Sequence, residues 1–380
     1  MQSARLRPLV SARGPFASVF FEHSHDTLDA VEQLEAKWRD VRKHLEDLGA
    51  GKEVIGRLDD AVLHYRPEVG RRGRALIATS DQVLVDEQLV SPPSTTVVRV
   101  SDYPYIVPLI ELEAWRPAYV FAAVDHAGAD VTLYQGETVR SETIDGGGYP
   151  VHKPVTAGWI GYGDFQRTTE EAIRMNVRAV ADYLTRLVDE AQPEVVFVCG
   201  EVRSRTDLVS ALPERVAQRV SQLHHGARDR RTCEDEIRDL RDAEFARRRC
   251  VEMSDIAERF QAEIGRRSGL AAEGLASVCA ALRGGDVDTL IVGELGDATV
   301  VTGEARTTVA PDADVLSELG QPVERVARAD EALPFTAIAV GAALVRADNR
   351  IAPADGIGAL LRYVATDGRT GDHTVEAERQ

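Results

Sequence analysis

Cysteine is scarce in this chain of 380 residues, where it occurs four times and always singly. Cys199, Cys233, Cys250 and Cys279 form no Cys-x-x-Cys pair of the kind that holds zinc, and their spacing is not that of a disulfide framework. We therefore expect buried thiols in a reducing compartment, and neither a metal site nor another cofactor.

Long apolar runs are also missing. The longest uncharged apolar run, Phe335 to Val345, is far shorter than the roughly 20 residues that cross a bilayer as a helix. The first residues contain Pro8 and Pro15 and no continuous apolar core before Glu22, unlike a secretory signal. The sequence therefore predicts a cytoplasmic protein with no membrane partner.

Positive charge is in deficit, since 45 Lys and Arg residues face 62 Asp and Glu residues, giving a net charge of -17. Lys and Arg supply most non-specific affinity for nucleic acid by neutralising phosphates, so general adhesion to RNA is disfavoured. A local basic patch is still compatible with RNA binding. The best candidate is the turn with Arg71, Arg72 and Arg74, where Gly70 and Gly73 allow close backbone approach to a phosphate. A solvated loop is the alternative.

The overall composition, 44% hydrophobic and 28% charged residues, predicts folded domains, and 380 residues correspond to two or three of them. Helical and strand patterns alternate along the chain, which predicts an α/β fold made of three consecutive α/β domains. The predicted domains cover residues 1–115, 116–265 and 266–366, and a polar tail follows at 367–380.

Hydrophobic periodicity assigns the individual elements. The predicted strands cover residues 16–21, 75–77, 82–85, 119–134 as a hairpin, 195–199, 288–292, 298–302 and 335–340. The predicted helices cover residues 31–48, 53–65, 168–190, 232–267, 270–283 and 313–319, and two more begin near Thr206 and Ala217.

Three segments stand out by their order along the chain. The first is the hairpin Tyr119 to Tyr134, whose turn contains Asp125 and Gly128. The second runs from Leu275 to Val292 and contains a predicted helix followed by a predicted buried strand. The third is Asp355-Gly-Ile-Gly-Ala-Leu-Leu-Arg-Tyr363. Each segment alone is ordinary, so the specificity lies in the combination.

In this order and spacing, the three segments resemble the archaeal and eukaryotic class-1 peptide release factors and their ribosome-rescue relative Pelota. The resemblance is closest to a bacterial offshoot of that family, which includes the ribosome hibernation factor Balon, and it covers about residues 100 to 365. It implies a ribonuclease-H-like middle domain and a ribosomal-protein-like α/β/α sandwich at the carboxy terminus. It also implies that the structural residues of the family motifs are Asp125, Gly128, Gly356, Gly358 and Arg362.

The Gly-rich segment 145–166 occupies the place where release factors carry the Gly-Gly-Gln loop that hydrolyses peptidyl-tRNA. Here Gly147 and Gly148 are followed by Tyr149, so the hydrolytic tripeptide is missing. The remaining polar and aromatic side chains suit contacts with bases and phosphates. The residues predicted to face rRNA or tRNA in this part of the chain are His152, Lys153, Trp159, Tyr162, Gln166 and Arg167.

The resemblance and the missing tripeptide together indicate a non-catalytic factor that occupies the aminoacyl-tRNA site of idle or stalled ribosomes. By resemblance, the first domain faces the decoding centre, the Gly-rich segment faces the peptidyl-transferase centre, and EF-Tu and the P-site tRNA are further partners. Two alternatives stay open. One is an enzyme, either a divergent peptidyl-tRNA hydrolase or a nuclease that uses Asp125. The other is a stress protein that binds a small molecule or another protein away from the ribosome.

Overall fold

The computed structural model describes residues 3–24, 30–63, 72–89, 91–111, 117–135, 138–145, 162–223 and 234–363. It confirms the predicted mixed α/β class. The chain forms two compact units: one combines Met1–Trp115 with Met253–Gln380, and the other is Arg116–Glu252. The first and last predicted domains thus lie within one unit, while the finer domain descriptions stay predictions. Among the described residues, no helix is long and apolar enough to cross a membrane.

The amino-terminal part of the first unit is an antiparallel sheet of order β3-β2-β1-β4 with helices on one face. Its elements are α1 (Arg7–Ser11), β1 (Phe16–Glu22), α2 (Ala30–Asp47), α3 (Lys52–Leu63), β2 (Gly73–Ala78), β3 (Val83–Leu89), β4 (Val97–Ser101) and α4 (Val107–Glu111). Strand β1 is buried on both faces, which explains its continuous apolar sequence. Val19 and Phe21 pack with Trp38 of α2 on one side, and Phe20 enters a different core on the other.

The carboxy-terminal part of the first unit contains two small sheets, of order β10-β16-β11-β15 and β13-β12-β14. Its remaining elements, numbered after those of the middle unit, are β10 (Ala271–Glu273), α9 (Leu275–Gly284), β11 (Val287–Val292), β12 (Thr299–Thr302), β13 (Val309–Ala310), α10 (Ala313–Glu318), β14 (Arg325–Arg328), α11 (Ala329–Ala339), β15 (Ala343–Arg346) and β16 (Ile357–Leu361). Phe16 and Phe20 of β1 share one hydrophobic core with Phe335 of α11. The two ends of the chain therefore fold together.

The middle unit is built on one mixed sheet of order β7-β6-β5-β8-β9. Strands β5, β6 and β7 are antiparallel neighbours, whereas β8 and β9 run parallel to β5. The elements are β5 (Tyr119–Val124), β6 (Gly128–Gln135), β7 (Thr138–Asp145), α5 (Tyr162–Ala191), β8 (Val195–Gly200), α6 (Val202–Ala211), α7 (Glu214–Ala217), β9 (Val220–Gln222) and α8 (Glu234–Arg266), which continues into the first unit. Val180, Leu184 and Leu187 of α5 are buried against this sheet.

The structure differs from the predicted elements at several places. The predicted strand 335–340 is wrong, because these residues belong to helix α11 and to its end, and the helix is buried on all sides. Strand β7 was not predicted, since its exposed residues are mostly polar. The helix predicted to start near Ala217 is also wrong: α7 ends there, and the short strand β9 follows.

Candidate functional site

The candidate site lies at the carboxyl edge of the parallel strands β5 and β8. Val124 pairs with Gly200 at the ends of these strands, so Asp125 and Glu201 follow them at the same edge. The neighbouring strand β7 ends at Asp145 opposite Gly128. The Gly-rich segment therefore continues from a residue at this edge and joins helix α5. Ligand sites of α/β sheets typically lie beyond the carboxyl ends of parallel strands.

Asp125 uses its carboxylate to order the turn between β5 and β6. Its Oδ1 accepts hydrogen bonds from the backbone N–H groups of Ala127 at 2.7 Å and Gly128 at 2.9 Å. The backbone N–H of Asp125 donates to the carbonyl oxygen of Gly128 at 3.0 Å. This is the Asx-turn chemistry that makes aspartate favourable in tight turns. The carboxylate thus acts as an acceptor for the backbone rather than pointing outward as a ligand.

Glycine is required at two points of this edge by close backbone approach. A Cβ atom at Gly128 would collide with the carbonyl oxygen of Ile144 on β7. A Cβ atom at Gly200 would collide with the carbonyl oxygen of Val124, and its φ of 125° is one that other residues rarely adopt. Gly128 was predicted from the sequence as a structural residue, whereas Gly200 was not. The signal for Gly200 was its position at the end of a buried strand.

Helix α5 is tied to the same turn by Asn176. The side-chain amide of Asn176 donates to the carbonyl oxygen of His126 at 2.9 Å, and Asn176 is only 3% exposed. The imidazole Nδ1 of His126 lies 3.8 Å from a carboxylate oxygen of Glu201, and both side chains are exposed. Asn176 was missed, although one amide on the apolar face of a helix is a usable signal for a buried polar contact.

The hydrogen bonds of Asp125 and Asn176 at this edge anchor the turn between β5 and β6. Within the described ranges, no group of three or more His, Cys, Asp or Glu side chains is placed to hold a metal ion. A nuclease of the ribonuclease-H class needs several converging carboxylates. Asp125 instead accepts two backbone N–H groups, which gives the predicted nuclease alternative no support from its proposed residue.

The predicted residues of the Gly-rich segment fall into two groups, one before the start of α5 and one within this helix. His152, Lys153 and Trp159 lie outside the described residues. The backbone of Tyr162, Gln166 and Arg167 is helical, because α5 begins at Tyr162, six residues earlier than the predicted start at 168. The predicted loop 145–166 therefore ends before its last five residues. The described side chains of α5 begin at Glu170.

The structure describes part of the predicted basic turn. Arg71 lies outside the described residues, and the backbone of Arg72 is held by His23 and Ser24 through three hydrogen bonds. Arg74 lies in β2 and is 1% exposed. Its guanidinium pairs in a bidentate manner with Asp86 and donates to the carbonyl oxygen of Ala61 at 2.9 Å. The guanidinium of Arg74 is therefore occupied by contacts within its own fold, which leaves the predicted RNA contact of this residue without structural support.

The carboxy-terminal motif forms a turn that requires glycine. Asp355 has a φ of 54° and its Oδ2 accepts from the backbone N–H of Leu275, the first residue of α9, at 3.1 Å. Gly356 has a φ of 72°, and a Cβ there would collide with the carbonyl oxygen of Glu294. A Cβ at Gly358 would lie 2.8 Å from the ring of Phe260. The glycines therefore allow β16 to pass close to a backbone and to an aromatic ring.

Arg362 ends this motif and caps two helices. Its guanidinium donates to the carbonyl oxygens of Gly285 at 3.2 Å, after α9, and of Val340 at 3.3 Å and Gly341 at 3.0 Å, after α11. A cation at a helix C-terminus interacts favourably with the unpaired carbonyls and the helix dipole. In this geometry the motif braces the carboxy-terminal fold.

Three comparisons with known proteins give matches. The family model described as bacterial archaeo-eukaryotic release factor family 2 matches residues 118–266. Uncharacterized proteins from two strains of Mycobacterium tuberculosis are each 73% identical over 373 residues, covering 98% of this chain and 100% of theirs. Among solved structures, ribosome-bound archaeal Pelota with ABCE1 is 15% identical, with a TM-score of 0.40 and coverage of 95% of this chain and 93% of that one. Pelota of Archaeoglobus fulgidus is also 15% identical, with a TM-score of 0.36 and coverage of 91% and 96%.

Proposed function

Because the chain belongs to the bacterial branch of the archaeo-eukaryotic release factor and Pelota family, we propose that it is a ribosome-binding translation factor. It occupies the aminoacyl-tRNA site of idle or stalled ribosomes and does not hydrolyse peptidyl-tRNA. Ribosome hibernation during dormancy or another stress is the proposed setting. EF-Tu is the proposed delivery partner, and the P-site tRNA is a second contact.

The absence of a Gly-Gly-Gln tripeptide is the observation that carries the non-catalytic part of this proposal. Gly147 and Gly148 are followed by Tyr149. The one glutamine of the Gly-rich segment, Gln166, lies inside helix α5 instead of in a loop. A glutamine that positions an attacking water must reach the reacting carbonyl, and near-attack geometry tolerates little displacement. A glutamine whose backbone is fixed in a helix is poorly placed for that role.

The placement of the Gly-rich segment supports ribosome binding by the same part of the chain. Asp145 and the start of α5 hold its two ends, and Asp125, Gly128 and Asn176 fix the turn beside it. Rigid anchoring of both ends of a segment lowers the entropy lost when that segment orders on a partner. We therefore propose that this edge presents residues 146–161 to ribosomal RNA.

The test combines ribosome sedimentation with a peptide-release assay. Purified protein is expected to pellet with vacant 70S ribosomes and to release no peptide from a loaded peptidyl-tRNA complex. The variant Tyr149→Gln, which completes the tripeptide, is the matched control, since it changes one residue and leaves the anchoring turn intact. Peptide release by the unchanged protein, rising with its concentration, supports the hydrolase alternative and contradicts the proposal.

The sedimentation assay also tests the third possibility, a protein that works away from the ribosome. Failure of the unchanged protein to pellet with vacant 70S ribosomes at low salt contradicts ribosome binding. EF-Tu is tested separately by adding it with GTP to the same reaction. An increase in the amount of bound protein supports delivery, and no increase removes EF-Tu from the proposal without affecting ribosome binding.

A further inference from the structure

Helices α5 and α6 of the middle unit pack against each other and leave an open groove along their contact. The groove has a volume of about 410 Å³. Charged and polar side chains line its walls, and three small or apolar side chains lie between them. The lining residues are Glu170, Ile173, Arg174, Val177, Arg178, Arg203, Asp207, Ser210 and Ala211.

Two of the arginines in this groove have no partner among the residues that the structure describes. Arg174 and Arg178 are exposed, and neither makes an ion pair or a side-chain hydrogen bond to any residue of the described chain. Arg203 has one weak contact, with Nε lying 3.8 Å from Asp207, where both side chains are exposed. Exposed pairs of this kind contribute little to stability. Glu170 and Asp207 also line the groove, so its three arginines outnumber its carboxylates by one. In a chain with a net charge of -17, this local excess of positive charge favours an external anion.

We infer that this groove binds the phosphate backbone of an RNA strand. Arg174 and Arg178 are one helical turn apart, about 6 Å along the axis, so their occupant must carry at least two anionic groups in succession. A nucleic-acid strand offers such groups at every nucleotide, whereas a peptide offers them only at consecutive acidic residues. Guanidinium groups bind phosphate oxygens through two parallel N–H donors.

The apolar side chains of the groove fit the same occupant. Ile173 and Val177 are half-buried between the arginines, where a ribose or a base would cover them. Phosphate contacts fix the position of a strand without reading its sequence. The groove is therefore expected to bind RNA with little sequence preference and with strong dependence on salt.

The position of the groove extends the proposed ribosome-binding site. Helix α5 begins at Tyr162, directly after the Gly-rich segment, and Arg174 lies about 18 Å further along its axis. This inference rests on the proposed function in one respect, since the RNA is taken to be ribosomal RNA or tRNA near the Gly-rich segment. Binding of RNA to the groove can be measured independently of the ribosome.

The experiment removes the two unpartnered charges and measures the salt dependence of binding. The double variant R174Q/R178Q is compared with R186Q, since Arg186 is an exposed arginine of the same helix that does not line the groove and has no partner among the described residues. The probes are vacant 70S ribosomes and a short, labelled, single-stranded RNA. Because the altered side chains are exposed, circular dichroism and the thermal midpoint are expected to stay unchanged.

The double variant is expected to bind about tenfold more weakly or worse at low salt. The slope of log K against log salt should decrease by roughly 1.4 to 1.8, which is two contacts of 0.7 to 0.9 each. R186Q should retain the slope, and R174K/R178K should recover most of the affinity by keeping both charges. An unchanged affinity and slope in R174Q/R178Q on 70S ribosomes overturns the inference and leaves the proposed function intact.

The two proposals fail separately. If the unchanged protein does not pellet with ribosomes, the proposed function is contradicted, and the slope measured with the short RNA then decides the groove. The short RNA could instead bind neither the unchanged protein nor the variants. If an acidic protein then binds the unchanged protein and R174Q/R178Q abolishes this binding, the groove is a protein-binding surface and the inference is overturned.

Discussion

The ring of Tyr103 meets the ring of Phe335 edge to face, with centroids 5.2 Å apart. Tyr103 follows strand β4 near the start of the chain, and Phe335 lies in helix α11 near its end. The hydroxyl of Tyr103 donates to the carbonyl oxygen of Arg306 at 3.0 Å, and burial raises the pKa of this phenol. Arg99 of β4 also pairs with Asp330 at 3.0 Å. The amino-terminal and carboxy-terminal segments are therefore expected to unfold together.

Replacing Phe335 with Ala tests this shared core. Phe335 is 1% exposed, and removal of a buried Phe side chain is expected to lower the free energy of unfolding by about 3–5 kcal/mol. Hydrogen exchange should show lost protection in β1 as well as in α11. Val326→Ala is the control, because Val326 is 68% exposed and its removal should cost about 0.5 kcal/mol or less. Full protection of β1 in the Phe335→Ala variant would show that the two ends fold separately.

Substitution of Gly128 tests the anchoring turn. In Gly128→Ala the new Cβ meets the carbonyl oxygen of Ile144, so β6 and β7 must separate and the thermal midpoint should fall by several degrees. Gly265→Ala is the matched control, because Gly265 lies in helix α8 with open space around it. Alanine favours a helix interior over glycine by roughly 0.5–1 kcal/mol, so this variant should be as stable as the unchanged protein or more so. Equal midpoints for both variants would contradict the steric argument.

The elements that were predictable are those with one clear apolar face. In α2, Trp38, Val41 and Leu45 of the predicted apolar face are buried, whereas Val31 and Leu48 at its two ends are exposed. Helix α11 has no such face, since Leu333, Phe335 and their neighbours are buried on every side. A short, continuously apolar run has the same appearance in a buried helix and in a buried strand. Neither the length of this apolar run nor the presence of Pro334 distinguished a helix from a strand in the sequence.

The residues of the site could be predicted from the sequence where a side chain contacts the backbone of its own turn. They were harder to predict where the contact partner is distant in sequence. Asp125 and Gly128 belong to a turn whose chemistry is local, and the sequence indicates it. Arg74 was assigned to a basic turn because three arginines are close in sequence, but the strand pairing places its guanidinium beside Asp86. Asn176 contacts His126 from 50 residues away. Such partners depend on tertiary packing, which one sequence without an alignment does not reveal.

The buried thiols give a prediction about reactivity and pH. Burial raises the pKa of the Cys279 thiol from its ordinary 9.0 to about 12 and that of Cys199 to about 11. The pKa of each thiol is higher in the folded protein than in the unfolded chain. Burial of the protonated thiols therefore adds to the free energy of unfolding in full below about pH 9, and this addition is lost as the pH rises toward the folded pKa values. Urea unfolding between pH 8 and pH 11 should show decreasing stability, and Cys279→Ser should change that dependence.

Labelling of the folded protein at pH 8 provides a second measurement of the same thiols. In a Cys233→Ser background, the exposed Cys250 should react first with a thiol reagent. Cys199 and Cys279 should react only when the fold opens. Cys279 reacting as fast as Cys250 would mean that α9 is not closed over this thiol.

The arginines of the predicted basic turn are expected to behave differently when they are removed. Arg74→Ala deletes a buried donor to Ala61 and the partner of Asp86, and an unsatisfied buried group costs about 1–3 kcal/mol. Its free energy of unfolding should fall while ribosome affinity, measured at a temperature where the variant is folded, stays the same. The pair Arg71→Ala and Arg72→Ala tests the phosphate contacts predicted for the rest of the turn. That pair should reduce the salt slope of ribosome binding by roughly 0.7 to 0.9 for each lost phosphate contact.

The opposite outcomes distinguish the remaining interpretations of the turn. An unchanged slope for the pair Arg71→Ala and Arg72→Ala would make the turn a solvated loop, as in the alternative from the sequence. A stable Arg74→Ala variant with weakened ribosome binding would mean that the guanidinium leaves Asp86 when RNA arrives. That exchange is unfavourable here, because the side chain of Arg74 is 1% exposed and holds a bidentate contact that RNA would have to replace. We therefore expect Arg74 to stabilise β2 and its neighbours, and any phosphate contact at this end of the protein to come from Arg71 and Arg72.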